Sequence, residues 1–117
     1  MIDLLYTWVE KIKSNNAIAV TDLYHQDGLL LGTFSNFERK GKEQILDYFN
    51  ELFNSQVDVK IKTKHVYKTK SLFTVSGLYD FTVDNKQIEA RYSFIFLKVD
   101  HTWKIISHHS SLRPNKK

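Results

Sequence analysis

The sequence predicts an α+β domain in which three helices precede a curved, mainly antiparallel sheet. Before Ser55, apolar residues recur at three- and four-residue spacing, which is the period of an amphipathic helix. After Ser55, β-branched and aromatic residues alternate with polar ones, which is typical of strands. Helices followed by a run of antiparallel strands form a helical layer against one face of a sheet.

The composition indicates one folded domain. A chain of 117 residues with eight Phe, six Tyr and two Trp can bury one core. We assign residues 1–112 to this domain and residues 113–117 to a basic tail. The chain has no cysteine, which excludes disulfides and thiol chemistry and fits a reducing compartment. Because Asp3 and Glu10 interrupt the first apolar stretch, we expect no signal peptide, no membrane partner and a cytoplasmic location.

The net charge of +4 does not indicate a nucleic-acid-binding protein. Lys60, Lys62 and Lys64 alternate along a predicted strand and would share one solvent face, where lysine opposes edge-to-edge pairing. Arginine is scarce, and no nucleic-acid-binding motif accompanies the lysines.

Helical spacing predicts three helices in the first half of the chain. The first runs from Ile2 to Lys13, and its buried positions are Leu4, Leu5, Trp8, Val9 and Ile12. A short second helix turns Ala17, Val20, Leu23 and Tyr24 inward, and Asp27-Gly28 then turns the chain into the apolar run Leu29–Leu31. After a loop from Gly32 to Lys40, the third helix covers Lys42 to Phe53.

The second half reads as strands throughout. The predicted strands are Val57–Tyr67, Leu72–Thr82, Ile88–Lys98 and Trp103–Ser111, and the last two form a long hairpin through the turn Val99–Thr102. In that hairpin Arg91 and Ser93 interrupt an apolar strand. Alternation puts Ser107, His109 and Ser111 on one face with Trp103 and Ile105. We interpret this inward face as partly core and partly ligand site.

The strand around Phe94 is apolar on both faces, which predicts a homodimer. If helices cover one face, Tyr92, Phe94 and Phe96 would be left in water on the other. Packing these residues against a second copy, sheet to sheet, would bury them; a larger ring is an alternative.

The order of these elements resembles the nuclear transport factor 2-like (SnoaL-like) superfamily. Within it, Arg91-Tyr-Ser93 followed by Trp103-Lys-Ile-Ile-Ser-His-His109-Ser-Ser111 is similar to the calcium/calmodulin-dependent kinase II association domain and its stand-alone bacterial relatives. The resemblance covers nearly the whole chain. It implies a cone-shaped fold, a pocket between the sheet and the first helix, and assembly through the outer sheet face. It also implies that Arg91, His109 and Ser111 occupy the positions of the family's Arg and His-x-Ser motif, with Trp8 near the pocket mouth.

The sequence departs from the ketosteroid isomerases of the same superfamily. Those enzymes place a general-base aspartate a few residues beyond the equivalent of Asp27-Gly28, where this chain has Leu30-Leu31-Gly32-Thr33. Without a carboxylate to accept the proton, that reaction is not expected.

Metal ligands and a catalytic set are likewise not predicted. His108 and His109 are adjacent on a strand and point to opposite faces, so they cannot chelate one ion together. No nucleophile elbow or Ser-His-Asp spacing is present, and we expect no cofactor.

Three functions are consistent with these residues. The first is a homo-oligomeric binding domain whose pocket, lined by Arg91, His109, Ser111 and Trp8, holds a small carboxylate or other anion. The second is an isomerase, cyclase or hydrolase with His109 as acid and base and Arg91 as the electrostatic stabiliser. The third is an assembly domain with a vestigial pocket. Arg91 could also be a structural cation, and His109 a core histidine.

Overall fold

The computed structural model describes residues 3–114, which form three helices and seven strands. The helices are α1 (Leu4–Lys13), α2 (Ala17–Thr21) and α3 (Lys42–Leu52). The strands are β1 (Tyr24–Leu31), β2 (Arg39–Lys40), β3 (Val57–Ile61), β4 (His65–Lys68), β5 (Leu72–Val83), β6 (Lys86–Val99) and β7 (Thr102–Leu112). Ile2 and residues 115–117, to which the predictions assigned a helix start and part of the tail, lie outside the described residues.

The predicted helices α1 and α3 are confirmed, and local capping explains where the first two helices begin. The Asp3 carboxylate accepts a hydrogen bond from the Tyr6 backbone N–H at 3.2 Å, and the Asn16 side chain accepts one from Ala19 at 3.0 Å. Both satisfy helix N–H groups that have no partner within the helix.

The strands form one sheet in the order β2-β1-β7-β6-β5-β3. Neighbours are antiparallel except β1 and β7, which run parallel. One edge of β5 pairs with β6. At its other edge, the first half of β5 pairs with β4 and the second half pairs with β3, both antiparallel. The α+β class and the mainly antiparallel sheet are therefore as predicted.

The chain between α2 and α3 differs from the prediction. Tyr24 begins β1 instead of lying on a helix, and Asp27-Gly28 lies inside the strand. The pairing of β1 with β7 is irregular between Tyr24 and Leu29. A Cβ on Gly28 would lie 3.0 Å from the carbonyl oxygens of His25 and Ile105. The irregular pairing therefore favours glycine at this position.

The predicted strand Val57–Tyr67 is broken, because residues 62–64 leave the sheet between β3 and β4. The break lies over Gly77, where a Cβ would come within 2.3 Å of the Thr63 carbonyl oxygen. The Thr63 hydroxyl accepts from the Leu78 N–H at 2.9 Å, and its carbonyl accepts from the Tyr92 hydroxyl at 2.8 Å. Lys60 and Lys64 therefore do not share a strand face, and Lys64 reaches the start of α1.

The core lies between α1, α3 and one face of the sheet, which we call the inward face. Tyr92, Phe94 and Phe96 lie on it, and none is more than 3% exposed. The Trp8 ring packs edge-on against Phe94 with centroids 4.9 Å apart. The prediction that these three residues form an outer dimer face was wrong. Burying three aromatic rings gains more free energy than burying Arg91 and Ser93, whose polar groups would need partners.

Candidate functional site

A chain of hydrogen bonds crosses the inward face at its centre. The helix α1 places Trp8 there, β1 and β5 place Tyr24 and Tyr79, and β7 places His108 and Ser110. The Trp8 Nε1 lies 3.2 Å from the Tyr24 hydroxyl, which lies 2.8 Å from His108 Nδ1. The Tyr79 hydroxyl lies 3.2 Å from His108 Nε2 and 2.6 Å from Ser110 Oγ. A further hydrogen bond joins the Ser110 and Thr33 hydroxyls.

The direction of these hydrogen bonds fixes the tautomer of His108. An indole N–H can only donate, so the Tyr24 oxygen accepts from Trp8, and among the described residues His108 Nδ1 is the acceptor within reach of the Tyr24 hydrogen. The His108 hydrogen is then on Nε2 and is donated to the Tyr79 oxygen, while Tyr79 donates to Ser110. Both ring nitrogens are thereby satisfied in the neutral form.

Burial keeps the titratable side chains of this hydrogen-bond network, His108, Tyr24 and Tyr79, uncharged. It lowers the pKa of His108 to about 3, with a smaller contribution from the neighbouring His109. It also raises the pKa of Tyr24 and of Tyr79 well above the ordinary value. The Phe94 ring stacks on the His108 ring with centroids 3.9 Å apart, which leaves no space for a ligand beside it. We interpret this network as a structural polar core.

In the stretch Leu30-Leu31-Gly32-Thr33, which lacks the carboxylate of the ketosteroid isomerases, the space beside Gly32 is filled by the Tyr48 side chain. A Cβ on Gly32 would lie 2.5 Å from the Tyr48 ring. Desolvation raises the pKa of Tyr48 to about 12, so this phenol is not a base at neutral pH. No carboxylate could be placed at position 32 without displacing that ring.

Arg91, His109 and Ser111 lie on the outward face of the sheet, so the prediction that they face an interior pocket was wrong. Arg91 and His109 are exposed, and Ser111 is half-buried. Arg91 is paired with Ser111 in the β6–β7 register, and Ser93 is paired with His109. Trp8, the fourth predicted site residue, is buried at 1% exposure in the core.

A β-bulge explains the exchange of faces on β7. Phe96 pairs with Ile105 and Ile95 pairs with Ser107, so Ile106 has no partner across the ladder. Ile105 and His108 therefore share the inward face, although they are three residues apart. The prediction extended strict alternation from Ile105 to His109, and it missed His108 and Ser110 as interior polar residues. Alternation alone carries no signal for such a bulge.

An open cavity lies elsewhere on the inward side, at the start of α1. Its volume is about 560 Å³, and most of its wall is apolar. It is lined by Asp3, Leu4, Leu5, Lys64, Val66, Lys68, Phe73, Val75 and Trp103. The resemblance implied a pocket between the sheet and the first helix, and this cavity lies between them, but none of the predicted site residues Arg91, His109, Ser111 and Trp8 lines it.

Charged side chains surround the mouth of this cavity. Lys64 forms an ion pair with Asp3 at 3.3 Å, and both are partly exposed. Lys68 Nζ lies 5.8 Å from the centroid of the Trp103 ring. Among residues 3–114, Lys68 makes no ion pair.

Among residues 3–114, no group of three or more His, Asp or Glu side chains is arranged to hold a metal ion. None of the three helices in this part of the chain is long and apolar enough to cross a membrane.

Comparison with known proteins identifies the family. Residues 2–115 match the family model described as a SnoaL-like domain. A Xanthomonas campestris structure, provisionally assigned as a calcium/calmodulin-dependent protein kinase II association domain, shares 35% sequence identity and has a TM-score of 0.90. The match covers 97% of this chain and 85% of that one. No match was found among curated proteins.

More distant structures show the same fold. A Salmonella enterica nuclear transport factor 2-like superfamily protein has a TM-score of 0.83 at 14% identity, over 97% of this chain and 89% of that one. A Parabacteroides distasonis protein, provisionally assigned as a ketosteroid isomerase, has a TM-score of 0.79 at 18% identity, over 93% of this chain and 85% of that one. The chain belongs to the SnoaL-like domain family and has the nuclear transport factor 2-like fold.

Proposed function

We propose that this chain is a self-association domain that forms a homodimer through the outward face of its sheet. The observation that carries the proposal is that aliphatic side chains stand partly exposed on this face, at the centre of the sheet. Ile95 and Leu97 lie on β6, which together with β7 is central in the strand order. The core lies on the opposite face, so none of the helices in residues 3–114 covers these side chains.

The aliphatic side chains on this face come from three strands, β1, β5 and β6, and β7 contributes polar side chains between β1 and β6. The register brings Ile95 beside Ser107 and Thr74, and Leu97 beside Leu72. The half-buried members of this surface are Leu29, Leu72, Leu78, Ile95 and Leu97, and the exposed members are Leu31 and Val99. A second copy seated on them would remove this apolar area from water, at about 25 cal/mol per Å² before association costs.

Polar groups lie in the same surface and would meet their equivalents across a two-fold axis. The Ser76 and Ser93 hydroxyls are 2.9 Å apart, and His109 lies beside Ser93 in the register. An isologous contact of this kind closes on itself and gives a dimer. Any anion bound by Arg91, His109 and Ser111 would then lie between two copies, not inside one.

The similarity to the Xanthomonas campestris protein supports the proposal. That protein is 35% identical over nearly all of this chain and is provisionally assigned as an association domain. The Parabacteroides distasonis protein that is provisionally assigned as a ketosteroid isomerase is only 18% identical, so it supports the enzyme alternative only at the level of the fold.

A catalytic role for His109 has one observation in its favour. His109 borders a groove with Glu38 and Ser110, which could hold a small polar molecule. The groove has a volume of about 230 Å³, below the roughly 300–1,000 Å³ of most ligand sites. Association is therefore the better-supported function.

The proposal is tested by sedimentation equilibrium over a range of protein concentrations. The wild type should approach twice the chain mass of 13.8 kDa. Leu97→Glu should return the mass to that of the monomer and keep its circular dichroism spectrum, because the new carboxylate would be buried unpaired only in the dimer.

Ile18→Glu is the control. Ile18 is 72% exposed on α2, away from the sheet face, so this variant should keep the wild-type mass. A wild type that stays monomeric at all concentrations, or a folded Leu97→Glu variant with the wild-type mass, would contradict the proposal.

A further inference from the structure

We propose that the cavity at the start of α1 binds an amphipathic monocarboxylate, with its apolar body inside and its carboxylate at the lysines of the mouth. This inference goes beyond the association proposed above, because the cavity lies on the inward side of the sheet. It does not depend on a dimer.

The cavity has the size and the wall of a small-molecule site. Its volume of about 560 Å³ lies within the range of known ligand sites. Leu4 and Leu5 of α1 form one wall, Phe73 and Val75 of β5 form the floor, and Trp103 of β7 closes one end. The apolar part of a ligand in the cavity would contact these side chains on several sides.

The cavity follows from the path of the chain rather than from loose packing. The break at residues 62–64 shifts β4 to the first half of β5, and all four β4 residues are exposed. Val66 pairs with Val75, lines the cavity and is 53% exposed. An apolar occupant would remove the exposed part of Val66 from water.

The charges at the mouth select an anion. Asp3 neutralises Lys64 through their ion pair, whereas Lys68 makes no ion pair among the described residues. Lys68 pairs with Phe73 in the β4–β5 register, so it stands at the edge of the apolar floor. Lys98 adds a second ammonium group 5.9 Å from the centroid of the Trp103 ring. A carboxylate at the mouth would gain a charge-assisted hydrogen bond from Lys68.

These features together define the ligand class. An apolar chain or ring fills the interior, and one negative group suits a mouth whose charged side chains, Asp3, Lys64, Lys68 and Lys98, have a net positive charge. Cations would be repelled, and neutral analogues would lack the ionic hydrogen bond.

The test compares three probes that share a ten-carbon chain. Decanoate, decanol and decyltrimethylammonium are titrated into the full chain below their micelle-forming concentrations. Binding is followed by calorimetry and by tryptophan fluorescence, which reports on Trp103 in the cavity wall. Decanoate should bind about tenfold more tightly than decanol, and decyltrimethylammonium should bind more weakly than either.

Two variants locate the site, and one serves as the control. Lys68→Gln should lower decanoate affinity to the level of decanol and leave decanol affinity unchanged. Val66→Trp places a large ring in the cavity and should reduce binding of both probes. Lys86→Gln removes an exposed lysine at the β5–β6 turn and should leave all affinities unchanged.

Three results would overturn the proposal. They are no decanoate binding to the wild type, equal affinity for the three head groups, and unchanged decanoate affinity in the folded Lys68→Gln and Val66→Trp variants. The last two would show nonspecific adsorption of the alkyl chain.

Discussion

At the scale of single residues, the feature with the clearest consequence is a buried, neutral histidine. Burial lowers the pKa of His108 from its ordinary value of 6.5 to about 3. Between these values the unfolded chain binds a proton that the folded chain does not. The contribution of His108 to stability is therefore fully present above pH 6.5 and is lost progressively as the pH falls towards 3.

Urea unfolding between about pH 7 and about pH 5 measures this effect. We expect the free energy of unfolding to fall with decreasing pH, with a limiting slope of about 1.4 kcal/mol per pH unit from this one group. His108→Phe should lose this part of the pH dependence. It should also be less stable near neutral pH, because Tyr24 and Tyr79 each lose one hydrogen-bond partner.

His65→Phe is the matched control, since His65 is exposed on β4. It should keep the wild-type slope. A His108→Phe variant with the full wild-type slope would show that this histidine is not the group responsible.

At the scale of secondary structure elements, two local irregularities decide which side chains face the core. The bulge at Ile106 lets Ile105 and His108 share the inward face. The sequence of β7 reads as an unbroken alternation, so a period-two interpretation puts His109 inside and His108 outside. The outward position of Ser107, His109 and Ser111 follows from that one unpaired residue.

The second irregularity is the break between β3 and β4, which depends on Gly77. A Cβ at this position would lie 2.3 Å from the Thr63 carbonyl oxygen and 2.9 Å from the Thr63 hydroxyl oxygen. Gly77→Ala should push residues 62–64 away and weaken the hydrogen bonds that Thr63 accepts from Leu78 and Tyr92. We expect a loss of about 1–3 kcal/mol in the free energy of unfolding, measured with urea.

The neighbouring Ser76→Ala is the comparison for Gly77→Ala. Ser76 points to the outward face and bonds only Ser93 among the described side chains, so its loss should be smaller, about 1 kcal/mol. A stability of Gly77→Ala equal to or above that of the wild type would mean that Thr63 does not depend on this close approach.

At the scale of the whole molecule, the fold class could be predicted and the orientation of the sheet could not. Helical spacing correctly indicated α1 and α3, and alternation correctly indicated the long β6–β7 hairpin. Strand β6 is apolar on both faces, so its sequence does not say which face meets the helices. The three-dimensional packing of Phe94 against Trp8 and His108 decides it.

The candidate site, too, could be predicted only in part from the sequence. The residues Arg91, His109 and Ser111 do lie together on one face, as predicted, but that face points outward. The cavity at the start of α1 is formed by residues from four elements, and no local pattern in the sequence brings them together.

The measurement that tests the central claim most directly uses two adjacent residues of β6. Phe94 is fully buried, whereas Ile95 is half-buried on the outward face. Circular dichroism and sedimentation mass are compared for Phe94→Glu and Ile95→Glu. We predict that Phe94→Glu unfolds the chain, because it buries an unpaired carboxylate in the core, and that Ile95→Glu gives a folded monomer. A folded monomeric Phe94→Glu together with a dimeric Ile95→Glu would contradict this account.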